Sequence, residues 1–143
     1  MKKSHNYHDC YTEKKVIGSG SFGTVHLVHR KNNPDQIYVA KKTNNLSEDA
    51  MQSARKEAEL LKELRHPHVV SFVESFIDKG VFIIIMEYCE EGDLAGHIDN
   101  LKKRKMNFPE DLVLNWLFQL CVALKFIHSK KILHRDIKTQ NIF

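Results

Sequence analysis

Six residues, Gly18-Ser19-Gly20-Ser21-Phe22-Gly23, constrain the fold of this chain more than any others. The spacing G-x-G-x-x-G serves a tight β-turn or a phosphate-binding loop, and alone it selects neither. The dinucleotide-binding version needs a helix directly after the glycines. Here Thr24-Val25-His26-Leu27-Val28 alternates as a strand does, and Val16-Ile17 leads into the glycines from the other side. Two strands hinged by glycines form a flap whose backbone can approach a ligand closely, because no Cβ intervenes.

The pattern beyond the flap is β structure interrupted by one helix. Asn32-Asn33-Pro34-Asp35 reads as a turn, followed by a third strand around Ile37 to Lys42. The period then changes. Ser47 can cap a helix, with Glu48 and Asp49 placed favourably in its first turn. Ala50, Ala54, Ala58, Leu61 and Leu64 recur at helical spacing as far as Arg65, and His66-Pro67 stops the run. Val69 to Ile77 and Val81 to Tyr88 read as two more strands joined at Asp78-Lys79-Gly80. The polar Glu90-Glu91-Gly92-Asp93 marks a boundary between two lobes. Pro109 suits a first helical position, Leu112 to Ile127 is an apolar-rich helix, and Ile132-Leu133 begins a final polar loop.

Composition narrows the class. The chain has 143 residues, 42% hydrophobic and 28% charged, as in an ordinary globular domain. A net charge of +4 suits an anionic ligand but is a weak signal. The basic run Lys102-Lys103-Arg104-Lys105 lacks the interleaved aromatics of a single-strand binder and reads as a solvated loop or helix end. Cys10, Cys89 and Cys121 lie far apart, which argues against a disulfide framework or zinc site and for a reducing setting. His5 and His8 have no flanking ligands, so residues 1–10 read as a flexible polar terminus. The start carries no apolar signal segment, and the longest apolar run, Val81 to Met86, is too short to span a bilayer. The expectation is a soluble cytoplasmic or nuclear protein with no nucleic-acid or membrane partner; its oligomeric state stays open.

Three further groups carry chemistry. Phosphate oxygens need a fixed cation, and a lysine on the third strand supplies one. The literal V-A-x-K pattern selects Lys42, whereas Tyr38-Val39-Ala40-Lys41 selects Lys41; alternation sends the two to opposite faces. Lys41 is preferred, and both remain candidates. A carboxylate must hold that lysine. Glu57 lies beside the apolar helix stripe, whereas Glu59 and Glu63 point together toward solvent; the plain alternative for Glu57 is a surface i,i+4 pair. Last, His134-Arg135-Asp136-Ile137-Lys138-Thr139-Gln140-Asn141 fits H-R-D-[LI]-K-x-x-N at every polar position. Asp136 can accept a hydroxyl proton, Asn141 can give an amide oxygen to Mg²⁺, and Lys138 can neutralise a transferring phosphoryl group.

Taken in this order, these motifs resemble the eukaryotic protein kinases. Ile85-Met86-Glu87-Tyr88-Cys89-Glu90-Glu91-Gly92-Asp93-Leu94 and the segment from His134 to Phe143 resemble the NIMA-related serine/threonine kinases in particular. The resemblance runs from about Tyr11 to the last residue. It implies an α+β kinase-like fold: a five-stranded antiparallel N-lobe sheet with one helix over 11–88, then a hinge and the first helices of an α-helical C-lobe over 89–143. It implies ATP and Mg²⁺ as cofactors and a protein substrate with a Ser/Thr acceptor. By position it makes Met86 the gatekeeper and Glu87 and Cys89 hinge residues. Ile17, Val25 and Val39 would lie near the adenine, and Asp93 near the ribose. Asp136, Lys138, Asn141, Lys41 and Glu57 would be catalytic, with Asn141 as metal ligand and Gly18, Ser19, Gly20, Ser21, Phe22 and Gly23 over the phosphates. Arg135 would pair with an activating phosphate. Two departures stand out. Val39 replaces the usual alanine if Lys41 is the lysine. The sequence also stops two residues beyond Asn141, before any D-F-G motif, so these 143 residues alone are expected to turn over little ATP and to leave the Leu112–Ile127 helix partly exposed. The competing functions are a non-catalytic nucleotide-binding or regulatory kinase fragment and an unrelated nucleotide-binding domain.

Overall fold

A computed structural model describes residues 6–20, 23–43 and 47–143. His5, Ser21 and Phe22, singled out above, lie outside the described residues. The chain divides into two compact units, residues 1–65 with 70–88, and residues 66–69 with 89–143.

The first unit is built on five strands: β1 (Tyr11–Gly20), β2 (Gly23–Arg30), β3 (Asn33–Lys42), β4 (Phe72–Asp78) and β5 (Val81–Glu87). They form one antiparallel sheet in the order β1-β2-β3-β5-β4. The short helix α1 (Tyr7–Cys10) precedes β1, and α2 (Glu48–Glu63) separates β3 from β4. β5 lies between β3 and β4, covered on both faces, which is why Val81 to Met86 is continuously apolar instead of alternating. On one face Ile83 and Ile85 join Tyr7, Tyr11, Val28 and Ala40 in a buried cluster. On the other, Phe82 and Ile84 pack with Ala54 and Ala58 of α2, whose small side chains let the helix sit close. Ser47 caps α2, its hydroxyl accepting from the Ala50 amide at 3.3 Å. The β4–β5 turn places Lys79 at φ 50 and Gly80 at φ 79, the two positive values a tight hairpin requires.

The first unit departs from the sequence reading at two strand boundaries and at its N-terminus. The β2–β3 turn falls at Lys31-Asn32, because Asn33 already pairs with Arg30. β4 begins at Phe72, not Val69, since the chain is still turning after Pro67, with the Val69 amide on the His66 carbonyl at 3.1 Å. The N-terminal segment is not polar and flexible throughout. Tyr7 is fully buried, stacked on Tyr11 and edge-on to Phe76.

In the second unit α3 (Leu94–Lys103) and α4 (Glu110–Ser129) are followed by a single 3₁₀ turn at Thr139–Asn141. Asp93 caps α3, its Oδ1 accepting from Gly96 at 2.8 Å, and Lys102 and Lys103 occupy the last turn, where cations favour the dipole. Pro109 is the residue before α4 and not its first residue. Its backbone is extended, and its carbonyl accepts from Val113 at 3.2 Å. Phe126 stacks on His66, and Trp116 meets Phe108 edge-on. Ala123 and Ile127 are buried, while Val113, Leu114, Leu117 and Phe118 are exposed. α4 is long and apolar enough, by length and composition alone, to cross a membrane. Asn115, Gln119 and Lys125 interrupt it, so a search for uninterrupted apolar runs passes over it.

Candidate active site

In the first unit the sheet register sorts the candidate residues by face. Val25 pairs with Lys41 and Leu27 with Val39 across β2–β3; Lys41 pairs with Ile84 and Val39 with Met86 across β3–β5. Directly paired residues share a face, so Val25, Val39, Lys41 and Met86 lie on one side of the sheet, the side α2 covers. Glu57 sits in the same helical stripe as Ala54, Ala58 and Leu61 and turns toward that side. Its Oε1 accepts from Lys41 Nζ at 2.6 Å. With 31% and 42% of the two side chains exposed, this pair adds no more than about 1 kcal/mol to stability, so its consequence is positional.

Lys42, the alternative lysine, projects to the opposite face and meets Glu13. The structure therefore separates the two adjacent lysines and joins only Lys41 to the helix carboxylate.

The flap is a β1–β2 hairpin in which Gly18 pairs with Val25, Ser19 with Thr24 and Gly20 with Gly23. Gly23 has φ +138, and a Cβ there would stand 1.7 Å from the Lys42 carbonyl oxygen. The protein's own backbone demands glycine at that position. Among the described residues nothing lies within 4 Å of where a Gly20 Cβ would be. Ile17 is exposed at a register shift between Val16 and Gly18. At the far end of β5, Glu87 exchanges bonds with Ser71: its amide donates to the Ser71 carbonyl at 3.0 Å, and its carboxylate accepts from the Ser71 amide at 2.9 Å.

In the second unit the Cys89 carbonyl accepts from the Gly92 amide at 3.2 Å, closing a turn before the Asp93 cap. The polar loop brings three predicted residues together. Asp136 Oδ2 receives Lys138 Nζ at 2.9 Å and Asn141 Nδ2 at 3.0 Å. Asn141 Nδ2 also donates to the Asp136 carbonyl at 2.8 Å. The Lys138 hydrogen bond first, then that of Asn141, hold the Asp136 carboxyl below the usual carboxylate range. Both donors use Oδ2, and among the described residues neither reaches Oδ1. Because the Asn141 amide nitrogen is committed to Asp136, its Oδ1 turns away as a neutral oxygen donor. Arg135 holds φ 65, a strained conformation of the kind that concentrates at functional loops. The loop is anchored to the start of α3 through the Leu94 amide, which donates to the Ile142 carbonyl at 2.8 Å.

The family model for the protein kinase domain matches residues 11–143. The chain belongs to this family. It is 44% identical over 135 residues to serine/threonine-protein kinase Nek3 of Mus musculus, covering 94% of this chain and 26% of that protein. It is also 44% identical to Mus musculus Nek1 over 93% of this chain and 11% of the relative, and 39% identical to Homo sapiens Nek11 over 93% and 21%. The chain thus spans between about a tenth and a quarter of these relatives.

Protein kinases generally use ATP and Mg²⁺. Among the described residues no group of three or more His, Cys, Asp or Glu gathers as a metal site. A nucleotide-bound Mg²⁺ does not need one, because it keeps waters and takes phosphate oxygens alongside one or two protein ligands. Taken unit by unit, the Lys41 cation held by Glu57 suits nucleotide phosphates, and the hard oxygen of Asn141 suits Mg²⁺. Sequence reasoning missed two structural parts of this site, the Asp93 cap and the Glu87–Ser71 exchange. Asp93 followed by Leu94, Ile98 and Leu101 at helical spacing would have revealed the first. The second depends on a tertiary contact with no local signature.

Proposed function

We propose that this protein is a serine/threonine protein kinase that transfers the ATP γ-phosphoryl group to Ser or Thr hydroxyls of protein substrates. The observation that carries the reading is Asp136 held on one oxygen by both Lys138 and Asn141. With Oδ2 occupied, Asp136 orients the substrate hydroxyl and takes its proton on Oδ1 as the oxygen bonds to phosphorus and the bond to the ADP oxygen breaks. Lys138 balances charge on the transferring group. Lys41, oriented by Glu57, fixes the nucleotide phosphates under the glycine flap, while Val25, Val39 and Met86 supply an apolar surface for the base. When bound, Mg²⁺ neutralises phosphate charge, with Asn141 Oδ1 among its ligands. The lysine two residues after Asp136, and the names of the relatives, support Ser/Thr over Tyr acceptors.

We place the protein in the cytoplasm or nucleus, a reading supported by Cys10, Cys89 and Cys121 lying too far apart in the sequence to suggest a disulfide framework.

The test is γ-phosphate transfer to a Ser/Thr peptide library by the full-length protein. Asp136→Asn should lower kcat by about 10²–10⁴ while ATP still binds. A wild-type protein that binds ATP but transfers no phosphate would instead favour a non-catalytic nucleotide-binding module.

A further inference from the structure

The Lys41–Glu57 pair explains one of two adjacent lysines; Lys42 has its own partners on the other face of the sheet. Its Nζ stands 2.5 Å from Glu13 Oε1. Glu13 Oε2 receives His26 Nδ1 at 2.8 Å, and the other nitrogen of that ring is 3.0 Å from Thr24 Oγ1. One carboxylate therefore links β1, β2 and β3. The Lys42 ammonium also lies 5.0 Å from the centroid of the buried Tyr7 ring, tying α1 to the same cluster. Lys42 and His26 are only 18% and 15% exposed, better shielded than Lys41 and Glu57, so solvent screens them less. Burial works against the Glu13 charge, but the hydrogen bond and charge of Lys42, with the charge of His26, hold its carboxyl below the usual value.

This cluster sits at the root of the glycine flap. Thr24 pairs with Ser19 on one side and Lys42 on the other. The Gly23 backbone lies against the Lys42 carbonyl. The β1–β2 register shifts between Glu13 and Lys15, directly beyond the carboxylate, so the backbone ladder alone does not pin β1 there.

We propose that Glu13 is a positioning residue that clamps the root of the flap and the end of β3, so that the glycines and Lys41 are already in place for nucleotide phosphates. Glu13 meets Lys42 on the face of the sheet opposite the Lys41–Glu57 pair. The inference rests on the kinase reading above, and its test separates the two. In the full-length protein, Glu13→Gln keeps the size of the side chain but removes the charge that receives two donors. Amide hydrogen exchange in β1 and β2 should quicken about tenfold, while β4 and β5 stay unchanged. The Kd for ATP, measured by calorimetry, should rise about fivefold. Glu13→Asp, which restores the charge on a shorter stem, should fall between Glu13→Gln and wild type in both measurements. The clamp is refuted by unchanged exchange, by equal acceleration in β4 and β5, or by a looser flap with an unaltered Kd. If the wild-type protein binds no ATP, the kinase reading fails, and exchange alone then decides whether Glu13 holds the flap.

Discussion

Gly20 and Gly23 face each other across the flap, yet their surroundings differ. A methyl on Gly23 would collide with the Lys42 carbonyl at an unfavourable φ, whereas one on Gly20 would meet none of the described residues. Gly23→Ala should therefore destabilise the fold by more than about 1 kcal/mol, visible as a lowered melting temperature. Gly20→Ala should leave melting within about 1 °C and weaken ATP binding, which calorimetry would detect. Asp136 carries a second residue-scale prediction. Its carboxyl is held below the ordinary value of 3.8 by the Lys138 and Asn141 hydrogen bonds. An NMR titration should place its midpoint under that value, and Lys138→Met should move it upward. A wild-type midpoint above 3.8 would contradict the geometry. Identities at this scale were largely legible in the sequence: Asp136, Lys138 and Asn141 meet as their spacing suggests. The choice between Lys41 and Lys42 was not, because alternation says that they diverge but not which face receives α2.

At the scale of elements, periodicity identified the five strands, α2 and most of α4. What it missed was set by neighbours. Tyr7 looks like part of a polar terminus until β1 and β4 supply Tyr11 and Phe76 against its ring. The helix α3 is short and mostly polar, so Leu94, Ile98 and Leu101 alone give only a weak helical signal. β5 carries much of the core, so Ile85→Ala should cost about 2–5 kcal/mol, measurable by denaturant unfolding. The Glu13 cluster adds a pH dependence of definite sign. A carboxylate whose folded pKa is depressed contributes stability above its unfolded value, here 4.5, and loses it as pH falls through the lower folded value. Below pH 4.5 the wild-type sheet should lose stability faster than Glu13→Gln. Thermal melts at pH 7 and below pH 4.5 would show the difference narrowing.

At the scale of the whole molecule, each of the two units carries half of the proposed chemistry. One unit holds the flap, Lys41 and Glu57; the other holds Asp136, Lys138 and Asn141. The proposed phosphoryl transfer needs the residues of both units. In that function Lys41, and not its neighbour, serves the phosphates. The deciding experiment is phosphate transfer by the full-length protein, compared between Lys41→Met and Lys42→Met at saturating ATP. Lys41→Met should lose at least about a hundredfold, on the order of a removed charge contact in the transition state, and Lys42→Met less than about tenfold. Activity that survives Lys41→Met but disappears with Lys42→Met would contradict that role of Lys41.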